Sequence, residues 1–339
     1  MSINNVKEAK WLTFKDNAVL YVNSFTSMKL ILVVSKQSRT QHTQTLSMTL
    51  WDQSLTKILQ KMNCELEISN QDPDVKIASE DRYIAFYNLS KGSLKLYELP
   101  NLAKPILTLT SIEKLKAVAL FPLQRRLFVT LSGNKIACYK FYSSDLEFSV
   151  EAESKQNIEA LHILKEQKLL VANTVNEVHM FDVTTKKFVN RFETHKLPVL
   201  GRSNYDLERV VGHASSSNKV ILKGKELSEN SSGQVEREDV IEICQMNDLR
   251  KDMRFSLQTD VGFCITNQQG QEVIWSSKNS VYVLDLKGKE IVHLHTFKDN
   301  QMIISGTIIE TGKVGQAKQR KLLVASSNHL SLITYTFNL

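Results

Sequence analysis

A strand-length apolar pattern returns in this chain after 42 residues without a gap. Leu127, Phe128, Val129, Ile136, Tyr139 and Phe141 map onto Leu169, Leu170, Val171, Val178, Phe181 and Val183. Tyr139 maps back by the same step onto Tyr97, inside Leu94-Lys95-Leu96-Tyr97-Glu98-Leu99. A strand-rich unit of about 40–45 residues cannot bury both of its faces alone, and buries them by packing on copies of itself, which is the logic of a β-propeller blade.

Short β-branched or aromatic runs separated by Ser, Asn, Lys and Asp turns fill most of the chain, and glycine and proline number only 12 and 5 in 339 residues. Trp51-Asp52, Tyr97-Glu98, Tyr139-Lys140, Phe181-Asp182 and Leu284-Asp285 fall where a WD-type blade ends its third strand with an aromatic–acid pair. The interval of 103 residues between Phe181 and Leu284 leaves room for one more blade around Val220-Ile221-Leu222, followed by an insertion. The expected fold is all-β: a single β-propeller of seven four-stranded blades with degenerate WD-like repeats. Residues 1–10 read as a flexible N-terminal arm, 11–339 as the propeller, and about 228–260 as a polar insertion. Trp11–Asn23 is expected to close the ring by pairing with Leu330–Phe337.

No phosphate-cradling glycine loop and no G-x-S-x-G elbow occurs. Cys64, Cys138, Cys244 and Cys264 form no C-x-x-C pair, so a reducing compartment is expected without disulfides or a zinc site. His293-Leu-His295 offers two imidazoles on one strand face and no third ligand. His179 reads as packed, Trp11, Trp51 and Trp275 as core, and Glu236, Glu238 and Asp239 as a solvated acidic loop. No signal peptide and no apolar run long enough to span a bilayer is legible. The expectation is a non-enzyme with no catalytic residue, cofactor or metal.

The net charge is +7, and it is unevenly placed. In an antiparallel blade the first-to-second and third-to-fourth turns share one end of the strands. By this register Arg125, Arg126, Lys165, Lys168, Lys186, Lys187, Lys287, Lys289, Lys318, Arg320 and Lys321 collect at that end, with fewer acids beside them. The pattern predicts a basic face for an anionic partner.

Leu120-Phe-Pro-Leu-Gln-Arg-Arg-Leu-Phe-Val-Thr-Leu-Ser-Gly-Asn-Lys-Ile136 resembles the citron-homology type of propeller. Gly201-Arg202-Ser203 to Val220-Ile221-Leu222 is similar to a later blade of that family, and Lys321-Leu-Leu-Val-Ala-Ser-Ser-Asn-His-Leu330 to its closing segment. Such propellers form the N-terminal part of vacuolar-sorting tether subunits in the HOPS and CORVET complexes. The resemblance implies docking to other subunits of a larger complex, to a Rab GTPase or to an anionic membrane surface, in the cytoplasm or on endosomal and vacuolar membranes. The alternative is a scaffold subunit of a nuclear or ribonucleoprotein complex whose basic face meets nucleic acid.

Overall fold

A computed structural model describes residues 3–14, 17–38, 43–67, 75–193, 204–214, 219–229, 234–246, 251–257, 261–267, 271–286, 289–298, 301–314 and 317–337. These form seven four-stranded antiparallel sheets, the blades of a seven-bladed β-propeller. Strand β1 is Ile3–Thr13. Blade 1 holds β2 (Asn17–Phe25), β3 (Leu30–Ser38), β4 (Thr43–Asp52) and β5 (Ile58–Glu67). Blade 2 holds β6 (Val75–Glu80), β7 (Tyr83–Asn88), β8 (Ser93–Glu98) and β9 (Leu107–Leu109). Blade 3 holds β10 (Val118–Phe121), β11 (Arg126–Thr130), β12 (Lys135–Lys140) and β13 (Leu146–Glu151). Blade 4 holds β14 (Ala160–Leu164), β15 (Leu169–Asn173), β16 (Glu177–Asp182) and β17 (Lys187–Glu193). Blade 5 holds β18 (Asn204–Ala214), β19 (Lys219–Glu229), β20 (Val235–Gln245) and β21 (Lys251–Ser256). Blade 6 holds β22 (Val261–Thr266), β23 (Glu272–Ser277), β24 (Ser280–Asp285) and β25 (Glu290–Thr296). Blade 7 joins β26 (Ile303–Val314), β27 (Ala317–Ser326) and β28 (His329–Phe337) to β1.

The chain divides into two compact units, Asp74–Thr259 with blades 2 to 5, and Met1–Pro73 together with Asp260–Leu339 with blades 1, 6 and 7. In each unit the core lies between successive blades. Leu94, Leu120, Leu127 and Phe141 fill the seam of blades 2 and 3. Phe121, Phe128, Ile163 and Phe181 fill that of blades 3 and 4, and Val171, Val178, Met180 and Leu222 that of blades 4 and 5. In the other unit, Phe263, Ile274, Leu322 and Tyr335 join blades 6 and 7, and Val22, Ile31, Leu323 and Leu330 join blades 7 and 1. Both faces of each central strand are buried, so these strands read as continuous apolar runs.

The strand register corrects the ungapped repeat. Arg126 pairs with Lys140 in blade 3, and Leu169 pairs with Asp182 in blade 4. The third strands therefore repeat at 42 residues and the second strands at 43, because the turn between them is one residue shorter in blade 4. Leu127 corresponds to Leu170, not Leu169. Each faces the preceding blade, whereas a one-residue slip would turn it to the other face.

The aromatic–acid pairs do close the third strands: β4, β8, β16 and β24 end at Asp52, Glu98, Asp182 and Asp285, and β12 ends at Lys140. The acids at positions 52 and 182 cap the turn that follows. Asp182 Oδ1 accepts the N–H groups of Thr184 (2.7 Å) and Thr185 (3.1 Å). Asp52 accepts the N–H of Lys57 at 2.7 Å and the hydroxyls of Ser54 and Thr56. These bonds hold both carboxyls below the ordinary carboxylate range.

Two expectations about segments need correction. The flexible arm at 1–10 is from Ile3 onward part of β1, which pairs with β28 from Ile3↔Phe337 to Thr13↔His329. The closing strand thus pairs with the expected partner β28 but shares only residues 11–13 with the expected Trp11–Asn23, most of which belongs to β2. The polar insertion at 228–260 is largely strand: the eleven-residue β19 and β20 pair as far out as Glu229↔Val235, and β21 follows. Residues 230–233, 247–250 and 258–260 lie outside the described residues. Asp239, expected in a solvated loop, is buried in β20 and lies 3.0 Å from Lys223.

Candidate interaction surface

The turns that precede β3, β11, β15, β17 and β25 end on a basic residue with left-handed backbone: Lys29 (φ 55°), Arg125 (52°), Lys168 (54°), Lys186 (57°) and Lys289 (55°). Glycine is the low-energy occupant of this conformation, and a side chain there is strained. Within the unit Asp74–Thr259 the turn ends of several blades meet. Lys165, in the first turn of blade 4, reaches Glu80 (2.5 Å) and Asp81 (3.0 Å) in the first turn of blade 2. The Tyr142 hydroxyl, in the last turn of blade 3, donates to Glu98 Oε2 at 2.6 Å. Lys186, in the last turn of blade 4, lies 3.8 Å from Glu147 of blade 3.

The cations named from the sequence divide into two kinds. Arg126 is an internal strut. Its Nε donates to Glu147 Oε2 at 3.0 Å and Nη1 donates to Gln124 Oε1 at 2.6 Å. The hydrogen bond from Arg126 holds the Glu147 carboxyl below its ordinary range. Lys165 is held by its two acids. In the other unit Arg320 is buried against Glu272, with Nε 3.3 Å from Oε2, and Lys321 is half-buried and not free of interactions. These four are engaged within the chain itself. Arg125, Lys168, Lys187 and Lys289 are exposed, with no ion pair among the described residues. Lys186 is also exposed, with its Nζ 4.6 Å from the centre of the Phe148 ring. Lys287 and the side chain of Lys318 lie outside the described residues.

A cleft of about 720 Å³ opens among these turns. Gln124, Arg125 and Arg126 line it from the first turn of blade 3, Lys140, Tyr142 and Glu147 from around the last turn, and Thr184 from blade 4. The Arg125 guanidinium lies 5.8 Å over the Tyr142 ring. Burial and the bond to Glu98 raise the Tyr142 pKa, so its hydroxyl stays a donor at neutral pH. Leu123, Tyr142 and Leu146 are 71%, 51% and 51% exposed. Lys140 was not among the cations selected from the sequence. Its signal was nonetheless legible, since Tyr139-Lys140 is the one aromatic–acid position of the five that holds a base.

A second cleft of about 690 Å³, lined by Asn134, Glu151, Glu153, Lys155, Glu177 and Arg191, opens beside the turn between β12 and its predecessor β11. The Nε2–H of buried His179 donates to Glu177 Oε2 at 3.0 Å, and burial pushes the imidazole pKa down. Cys138 is buried, and its thiol is pushed up to about 12 by burial first and by the Glu147 charge second. A thiol so held is inert rather than nucleophilic. His293 and His295 are each engaged, by Thr296 Oγ1 and Glu8 Oε2, both at 2.8 Å. Among the described residues no three His, Cys, Asp or Glu side chains group as metal ligands. Trp275 is buried and stacks on Tyr282, Trp51 is half-buried, and the Trp11 side chain lies outside the described residues. Among the described residues no helix is long and apolar enough to cross a membrane.

No protein-family model matches the chain, and a search of curated proteins finds no match. The class is defined by the fold: a seven-bladed β-propeller, WD-repeat-like in its blade construction. Propellers of this kind commonly serve as scaffolds for protein interaction.

Proposed function

We propose that this chain is a non-enzymatic interaction propeller, a subunit of a membrane-tethering or vesicle-trafficking assembly, and that it docks acidic partner surfaces. The observation that carries the reading is the set of exposed cations at the turn ends of blades 3 and 4, namely Arg125, Lys140, Lys168 and Lys187, with no ion pair among the described residues. An excess of cations on a surface raises the rate of encounter with an opposite surface and fixes its orientation, while buried anchors set the affinity. The trafficking context rests on the resemblance of Leu120–Ile136 to citron-homology propellers. It points to a cytoplasmic protein at endosomal or vacuolar membranes, with tether subunits or a Rab GTPase as partners.

The test is affinity capture of the tagged chain from its own cells at moderate salt, with mass spectrometry of what stays bound. Tether subunits or a Rab should be recovered. Recovery of RNA-bound or chromatin proteins in their place would sink the trafficking reading and make the cations a phosphate-binding surface.

A further inference from the structure

At the start of the second strand and the end of the third, the blades set a fixed pair opposite one another. In blades 1, 2, 4 and 6 the pairs are Leu30↔Asp52, Tyr83↔Glu98, Leu169↔Asp182 and Glu272↔Asp285, with an acid on the third strand, whereas blades 5 and 7 have Lys219↔Gln245 and Lys318↔Phe337. Blade 3 has Arg126↔Lys140, two cations facing each other. Like charges directly opposed across a ladder are destabilising. The fold accommodates them by sinking Arg126 onto Glu147 and leaving Lys140 exposed. The capping task of the missing acid moves along the turn: the Asp145 N–H donates to Ser143 Oγ at 3.1 Å, and the Ser143 hydroxyl donates to Asp145 Oδ2 at 2.9 Å. Arg125 adds a strained left-handed cation at the same place. A base in place of the acid and a cap moved along the turn therefore converge on one cleft, which Arg125 also lines. Departures that cost stability without a packing gain mark functional positions.

We infer that this cleft is a peptide-binding site for an extended acidic segment of a protein partner. Carboxylates of that segment pair with Arg125 and Lys140, and an apolar side chain beside them packs on Tyr142. The inference rests on the docking reading above and adds its site and ligand class. Of the charged residues lining the cleft, Arg125, Arg126 and Lys140 are cations and Glu147 is the one carboxylate, so an anionic ligand is complementary. Exposed Leu123, Tyr142 and Leu146 around the same turns offer apolar contact that neither a phosphate backbone nor a lipid headgroup requires.

The test is selection of a displayed library of random twelve-residue peptides on the full chain, followed by solution affinities of the enriched peptides. Enriched sequences should carry Asp or Glu within a few residues of Leu, Phe or Tyr. Lys140→Asp, which gives blade 3 the acid of blades 1, 2, 4 and 6, and Arg125→Glu should each weaken them at least tenfold. Lys140→Arg should retain binding, and so should Lys155→Glu at the acid-rich cleft. Thermal unfolding of Lys140→Asp at or above the wild-type temperature separates lost binding from lost fold. Three results overturn the inference: no enrichment, peptides indifferent to Lys140→Asp and Arg125→Glu, or binding of polyuridylate or phosphatidylserine vesicles through these residues in place of peptides. If cellular partners are still captured by the Arg125→Glu, Lys140→Asp chain, the cleft is wrong and the docking reading stands. If peptides bind the cleft and no partner is captured, the docking reading falls and the cleft stands.

Discussion

Arg320 and Glu272 are both buried where blades 6 and 7 meet, beside Tyr335, whose hydroxyl pKa is raised by burial and by the Glu272 charge. An ion pair there gains little over apolar packing, but one partner left alone is a buried charge. Glu272→Ala should lower the urea-unfolding free energy by about 3–5 kcal/mol, whereas Glu272→Leu with Arg320→Met should be close to neutral. A single-variant cost below about 1 kcal/mol would mean that the pair is solvated after all. His179 gives a pH signature. Its folded pKa lies below the ordinary imidazole value of about 6.5, so below that pH the unfolded chain takes up a proton that the folded chain refuses. This contribution is complete above about pH 6.5 and is lost as the pH falls toward the folded pKa. Burial alone would raise Glu177, but hydrogen bonds from Ser154, Arg191 and His179 hold it below its ordinary range, which adds a second loss at lower pH. Urea midpoints measured from about pH 7.5 down to 5 should fall for the wild type and fall less steeply for His179→Gln. Parallel curves would reject a buried neutral imidazole.

At the scale of the element, turns and edges carry the predictions. Lys168 holds φ 54° in an exposed turn. Lys168→Gly relieves the strain and loses part of the gain to a freer unfolded chain, so stability should rise by roughly 0.5–1 kcal/mol in urea melts. A fall would show that the lysine side chain makes a stabilising contact. Strand β1 covers the outer edge of β28 along its length. Deleting residues 1–13 should leave that edge open, lower the melting temperature and produce concentration-dependent association in size-exclusion chromatography. An unchanged monomer would contradict the closure. These elements also show what a sequence can express. Blades 3 and 4 were legible because their second and third strands are short and buried along their middles, so those positions are apolar for a packing reason. Strands β19 and β20 were not, because their outer pairs, from Lys225↔Asp239 to Glu229↔Val235, are mostly polar. Strand pairing is made by main-chain bonds, and a hairpin reaching beyond the core keeps the pairing while losing the apolar alternation. β1 was misread for the same reason: Asn4, Asn5, Lys7, Glu8 and Lys10 give it the composition of an arm.

At the scale of the molecule, the charge excess was legible and its distribution only partly so. Counting bases by turn selected Arg126, Lys165 and Arg320, which the fold neutralises with Glu147, Glu80 and Glu272. A sequence shows that a cation lies near a turn, but the acid that claims it comes from another strand or another blade. The same count passed over Lys140, whose importance lies in what it replaces. The measurement that tests the account most directly is hydrogen–deuterium exchange of the full chain, free and with its captured partner. Exchange should slow in the turns around Leu123–Arg125 and Phe141–Leu146 and stay unchanged around Asn134 and Glu151–Gln156. Protection confined to the second pair of segments, or no protection in either, would contradict it.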